Sequence, residues 1–166
     1  MLWKWVVIMS GWTHLDEHGQ ARMVDVTEKA SSQRVASASA QILMKSATLT
    51  AIENCDSKKG DVLAVARVAG IQAAKRTDML IPLCHSLGLD CVEVQFTLFP
   101  PDRLRIDSTV RTTGRTGVEM EALVAVSTSA LTVYDMCKAI DRDMTIEQIR
   151  LESKSGGRSG DFLRES

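Results

Sequence analysis

The stretch 116–143, TGVEMEALVAVSTSALTVYDMCKAIDRD, carries Glu119 and Glu121 at one end of an apolar run and Asp135 and Lys138 at the other. Residues two apart on a helix are separated by about 200°, so Glu119 and Glu121 cannot act on one group as a carboxylate pair. Thr116 and Glu119 match the spacing of a capping box, which gives Glu119 a structural role. Glu121 is left as a carboxylate able to accept hydrogen bonds from a guanine-like edge. Asp135 and Lys138, three apart, share a helix face. As an ordinary surface pair they would contribute about 0.2–0.5 kcal/mol. As a partly buried pair they would form an acid-base unit, with desolvation lowering the lysine toward neutrality and the aspartate orienting it.

Two further segments, VRTTGRTG and ESKSGGRSGD, combine glycines with Arg111 and Arg115 in one case and Lys154 and Arg158 in the other. Glycines let backbone N–H groups approach an anion, and the cations add charge and forked donors. The P-loop spacing is absent, so the pair of loops points to a small phosphorylated ligand outside that class. His85, beside Cys84 in LIPLCHSLGLD, sits in a helix-to-strand connection, where a substrate contact is the functional reading and a satisfied structural histidine the plain one. HLDEH (14–18) has the H-x-x-E-H pattern of some zinc proteases, but flanking glycines and the lack of an apolar helical stripe make it an exposed loop rather than a metal site.

These residues need elements to position them. CVEVQFTLF (91–99) and RLRIDSTVR (103–111) alternate apolar and polar residues across a Pro-Pro-Asp turn, which predicts a hairpin. Residues 61–77 place Val62, Val65, Ala66, Ala69 and Ala73 on one helical stripe, with Asp61 as a first-turn acid. Residues 116–140 form a second helix through Leu123, Val126, Ala130, Val133, Cys137 and Ile140. Strand-like segments at 35–44 and 144–153 complete the order β-α-β-β-α-β, an α+β, ferredoxin-like antiparallel sheet with helices on one face. The other face would lie open, and the small residues of 35–44 suggest that another subunit covers part of it.

The 166 residues suffice for one domain that buries roughly two thirds of its unfolded surface, and the formal charge of −1 gives no global attraction to nucleic acid or membrane. Cys55, Cys84, Cys91 and Cys137 lack C-x-x-C spacing, which predicts free thiols in a reducing cytoplasm. MLWKWVVIMSGW is too short to span a bilayer and has no cleavage site. It reads as an extension over 1–12, ahead of a single catalytic domain over 13–166, with Met9 as a candidate natural start.

The runs KGDVLAVARVAGIQAAKRTDMLIPLCHSLGL, TGRTGVEMEALVAVSTSALTVYDMCKA and KSGGRSGDF, with ARMVDVTEKA near the start, closely resemble the cyclic pyranopterin monophosphate synthase family, molybdenum cofactor biosynthesis protein C (MoaC). The resemblance covers about Thr13 to Phe162. It implies a homohexamer, a trimer of dimers, with active sites between subunits. It also implies rearrangement of a cyclised dihydro-GTP, made by a radical S-adenosylmethionine enzyme, to cyclic pyranopterin monophosphate with loss of pyrophosphate, using no metal or redox cofactor. Asp135 falls on the family's active-site acid, and Lys59 and Lys138 on its catalytic lysines. Leu83, Cys84, His85, Met120 and Glu121 fall on substrate contacts, and Lys154, Arg34 and Lys29 on cations around the triphosphate. Ser86 stands where the family usually has Pro, which predicts a looser loop around His85. Arg115 and Arg158 stand where Lys is common, and as arginines they are electrostatic rather than proton-exchanging. A non-catalytic nucleotide-binding module would use the same loops, but in it Lys59→Ala would weaken binding as much as anything else. An RNA-binding sheet would need mid-strand aromatics, and the hairpin offers only Phe96 and Phe99.

Overall fold

The computed structural model describes residues 14–16, 18–54, 60–158 and 160–165. The proposed extension 1–12, Cys55 and Lys59 lie outside the described residues. The sheet is antiparallel, with strands β1 (Ser32–Leu43), β2 (Cys91–Phe99), β3 (Arg103–Gly114), β4 (Thr145–Ser155) and β5 (Phe162–Leu163) in the order β2-β3-β1-β4-β5. The first four strands keep the expected ferredoxin-like order. Alternation decides their faces: Val94 and Phe96 of β2 pair with Ser108 and Ile106 of β3, all toward the core.

Among the described residues, four helices accompany the sheet: α1 (Ser46–Glu53), α2 (Val62–Ala74), α3 (Thr77–Leu80) and α4 (Glu119–Cys137). The helix α4 lies on β1, β3 and β4, and α2 lies on α4 and β2. Ala36, Ala38, Ala40 and Ile42 of β1 are buried in the core beneath this helical layer. The small alanine side chains let α4 approach the sheet closely. The opposite face is polar. There Ser39, Arg105 and Arg150 converge on Glu152, and Arg105 also binds Asp107.

The stripe expected for 61–77 is rotated. Val62, Ala66, Gly70 and Ala74 are the buried residues of α2, whereas Val65 is 46% exposed. Apolar residues surround this helix, so period alone does not choose its face; Gly70, which crosses α4 at Ser129 and Ala125, does. Asp61 is the N-cap, its side chain accepting the Ala64 N–H at 2.9 Å. The capping box expected for α4 is absent: its N-cap is Val118, with no side-chain cap bond. The helix α1, missing from the expected order, is pinned from a distance by buried Asp141, which accepts the Lys45 N–H at 2.7 Å and the Thr48 hydroxyl at 3.1 Å.

Candidate active site

Three stretches distant in sequence meet at one edge of the helical layer: the arm 24–29, the connection 83–87 and the start of α4. Between them lies a cavity of about 400 Å³. Leu83, Cys84, His85, Met120 and Glu121 all line it, as does Lys29, so six of the residues implicated from sequence share one space. Val24, Val26 and His14 line it too, and sequence reasoning missed them. His14 belongs to the stretch that the sequence marks as an exposed loop. Its segment is a tight loop closed by a Leu15–Ala21 bridge, with Asp16 accepting the N–H groups of His18 and Gln20. The signal for the valines was the alternation in RMVDV, too short to stand alone.

His85 Nε2 lies 2.8 Å from the Val24 carbonyl oxygen. A carbonyl only accepts, so Nε2 carries the proton of this contact. The contact also fastens the arm over the cavity. Glu121 is only 4% exposed. Burial first, then the neighbouring carboxylates Glu119 and Asp78, push its pKa up to about 7. Burial, with Glu121 and Asp78 nearby, likewise pushes the Cys84 thiol up, which keeps it a thiol. Ser86, expected to loosen this loop, instead donates its hydroxyl to the Asp78 carboxylate and ties the connection to α3.

Lys29, Thr116, Gly117 and Glu119 are shared with a second cavity of about 560 Å³. Its remaining walls include Arg34, Arg115 and Arg158, so it is the cationic half of one continuous cleft. Glu119, freed from capping, pairs with Lys154 at 3.1 Å and joins β4 to the rim. Arg111, from the same loop signal as Arg115, lies elsewhere and pairs with Glu93 at 3.2 Å.

Asp135 and Lys138 do not reach this cleft. They lie at the far end of α4, fifteen and eighteen residues from Met120, or about 22 and 27 Å at the helical rise. Their pair is short, 2.6 Å, but the side chains are 62% and 53% exposed, which corrects the expectation of a partly buried pair. The hydrogen bond Lys138 donates to Asp135 pushes Lys138 up rather than toward neutrality. Lys59 lies outside the described residues. Among the described residues, no three His, Cys, Asp or Glu side chains are grouped to hold a metal ion, and no helix is long and apolar enough to cross a membrane.

The geometry joins a polar-edged apolar chamber to a cationic one, and comparison with known proteins gives that pairing a family. A family model described as the MoaC family matches residues 23–157. The chain is 62% identical over 152 residues to cyclic pyranopterin monophosphate synthase 1 of Mycobacterium tuberculosis strain H37Rv, covering 92% of this chain and 89% of that protein. It is 56% identical over 157 residues to cyclic pyranopterin monophosphate synthase of Desulforamulus reducens, covering 95% and 96%. With the synthase of Desulfitobacterium hafniense the identity is 55% over 153 residues, covering 92% and 94%. This chain therefore belongs to the MoaC family.

Proposed function

We propose that the chain is a cyclic pyranopterin monophosphate synthase of molybdenum cofactor biosynthesis, a phosphorus-oxygen lyase acting in the cytoplasm. It converts 3′,8-cyclo-7,8-dihydroguanosine 5′-triphosphate to cyclic pyranopterin monophosphate and pyrophosphate. The observation that carries this reading is the two-part cleft, whose halves share Lys29, Thr116, Gly117 and Glu119. The chamber with Met120, Glu121, Leu83, Cys84 and His85 suits a guanine-derived ring, because a buried carboxyl and an imidazole meet its polar edge while apolar side chains cover its faces. The chamber with Arg115, Arg158 and Lys29 suits the triphosphate.

In this scheme the ring chemistry requires several proton transfers, with Glu121, at a pKa near the working pH, able to hold or release one. A sugar hydroxyl then attacks the α-phosphorus, losing its proton as the bond to pyrophosphate breaks. The cations stabilise the charge that develops on the departing pyrophosphate. Lys59, Lys138 and Asp135 are the proposed proton-handling groups. Since Asp135 and Lys138 stand about 22 and 27 Å from Met120 along one helix, the proposal requires a second copy of the chain to bring them to the cleft. A homohexamer arranged as a trimer of dimers, with each site built between subunits, satisfies that requirement. No metal or redox cofactor enters the scheme.

The test is direct. Purified protein is incubated with the cyclised dihydro-GTP, and pyrophosphate and pterin are quantified beside Lys59→Ala and Asp135→Asn. Product from wild type and little from either variant, with substrate binding largely retained, is the expected result. A folded, assembled wild-type protein that binds the substrate and releases neither product would overturn the reading.

A further inference from the structure

Arg34 is 9% exposed and sits one side-chain repeat before the buried row Ala36, Ala38 and Ala40. Strand β1 lies between β3 and β4, and its start is in register with the end of both: Ser32 opposite Gly114, Val35 opposite Ser155. The guanidinium therefore emerges between the two glycine loops that follow those strands. Nε donates to the Gly114 carbonyl at 3.4 Å, Nη2 to the Arg115 carbonyl at 3.4 Å and Nη1 to the Gly156 carbonyl at 3.1 Å. Three of the five guanidinium N–H groups thus point at backbone carbonyls of this chain.

The glycines are shaped around it. A Cβ at Gly157 would lie 1.4 Å from Arg34 Nη1, and one at Gly156 would lie 2.1 Å from the Gln33 carbonyl oxygen. Both have φ near +90°, a backbone region glycine alone enters without strain. The pair Gly156-Gly157 is thereby accounted for by the guanidinium and the strand beside it, without a phosphate.

We infer that Arg34 is a positioning residue, a clamp that fixes loops 114–117 and 156–158 as one wall and so aims Arg115 and Arg158 into the cationic chamber, rather than a ligand of the phosphates. The inference deepens the proposed function and rests on that reading for the identity of the anion, but the clamp itself does not depend on it. Lysine preserves the charge at this position and cannot reach three carbonyls lying in different directions. A phosphate ligand would tolerate Arg34→Lys with modest loss, whereas a clamp would not.

The experiment is hydrogen exchange on the full-length, unliganded protein, read by mass spectrometry, together with calorimetric binding of inorganic triphosphate. In Arg34→Lys, exchange is expected to rise about tenfold in both segments 113–118 and 155–161, with β1 and β3 protected as in wild type. Triphosphate binding is expected to weaken about tenfold. Arg115→Ala should weaken triphosphate binding while leaving exchange over 155–161 unchanged. Arg34→Lys with both loops exchanging as in wild type would overturn the clamp, whatever its anion affinity. Should that variant not fold, Gly157→Ala keeps Arg34 and displaces its guanidinium; faster exchange over 113–118, the loop it does not alter, supports the clamp, and unchanged exchange there overturns it. A wild type that makes no pterin overturns the synthase reading alone, since loop exchange needs no substrate.

Discussion

Glu121 is where residue type and environment part company. From sequence it is a carboxylate that accepts hydrogen bonds; buried at the start of α4, it keeps its proton up to about pH 7 and can also donate one. The sign of the linkage follows. In the unfolded chain the group ionises near its ordinary value of 4.5, while in the folded protein it resists ionisation. Its contribution to stability is therefore fully present below about pH 4.5 and is lost as pH rises through about 7. Glu121→Gln, which cannot ionise, should flatten that part of the profile: urea midpoints measured from pH 4.5 to 8 should fall with pH in wild type and fall less in the variant. Parallel profiles would assign the titration to another group. Lys138 shows the converse. Its type and spacing with Asp135 were legible, but exposure was not, because whether the end of a helix meets solvent is decided by what lies beyond it. The phosphate-contact role that the family resemblance implies for Arg34 likewise could not reveal the carbonyls around it, since these come from loops 80 and more residues away.

At the scale of elements, period identified what amphipathicity could decide. The face of α4 through Val126, Ala130, Val133 and Cys137 was legible because polar residues interrupt the remainder of the helix. The hairpin strands were legible for the same reason. The helix α2 was legible as a helix but not in its orientation, since Val65 and Val68 are as apolar as the residues it buries. Close approach decides instead, which makes Gly70 an informative probe. A Cβ there would lie 2.2 Å from Ser129 Oγ and 2.9 Å from the Ala125 carbonyl oxygen. Alanine gains about 1 kcal/mol of helix propensity over glycine. Separating the helices costs about 1–3 kcal/mol, and because a backbone oxygen has to move we place the cost at the upper end. Gly70→Ala is expected to lose about 2 kcal/mol net in equilibrium denaturation; a gain would mean that the crossing has slack. The start of α4 and all of α1 escaped local reading because their partners, Lys154 and Asp141, are remote in sequence.

At the scale of the whole molecule, one chain holds the proposed site in two pieces that its own geometry keeps apart. The cleft gathers residues from the start of α4, and Asp135 with Lys138 occupies the other end of the same rigid helix. A helix cannot fold back on itself, so flexibility within the chain does not close about 22 Å. If two copies complete each other, variants damaged at opposite ends of α4 should rescue one another. Glu121→Gln and Asp135→Asn, each of low activity alone, can be given different affinity tags, co-expressed and purified through both. In a random two-copy pairing, half of the pairs are mixed and one of the two sites in each mixed pair is intact, so equal co-expression should restore about a quarter of wild-type turnover before selection for mixed assemblies. Selection through both tags should raise it further. Mixed assemblies that remain as inactive as either parent would place the whole reaction within one chain, and Asp135 with Lys138 would then be the surface ion pair that their exposure already permits.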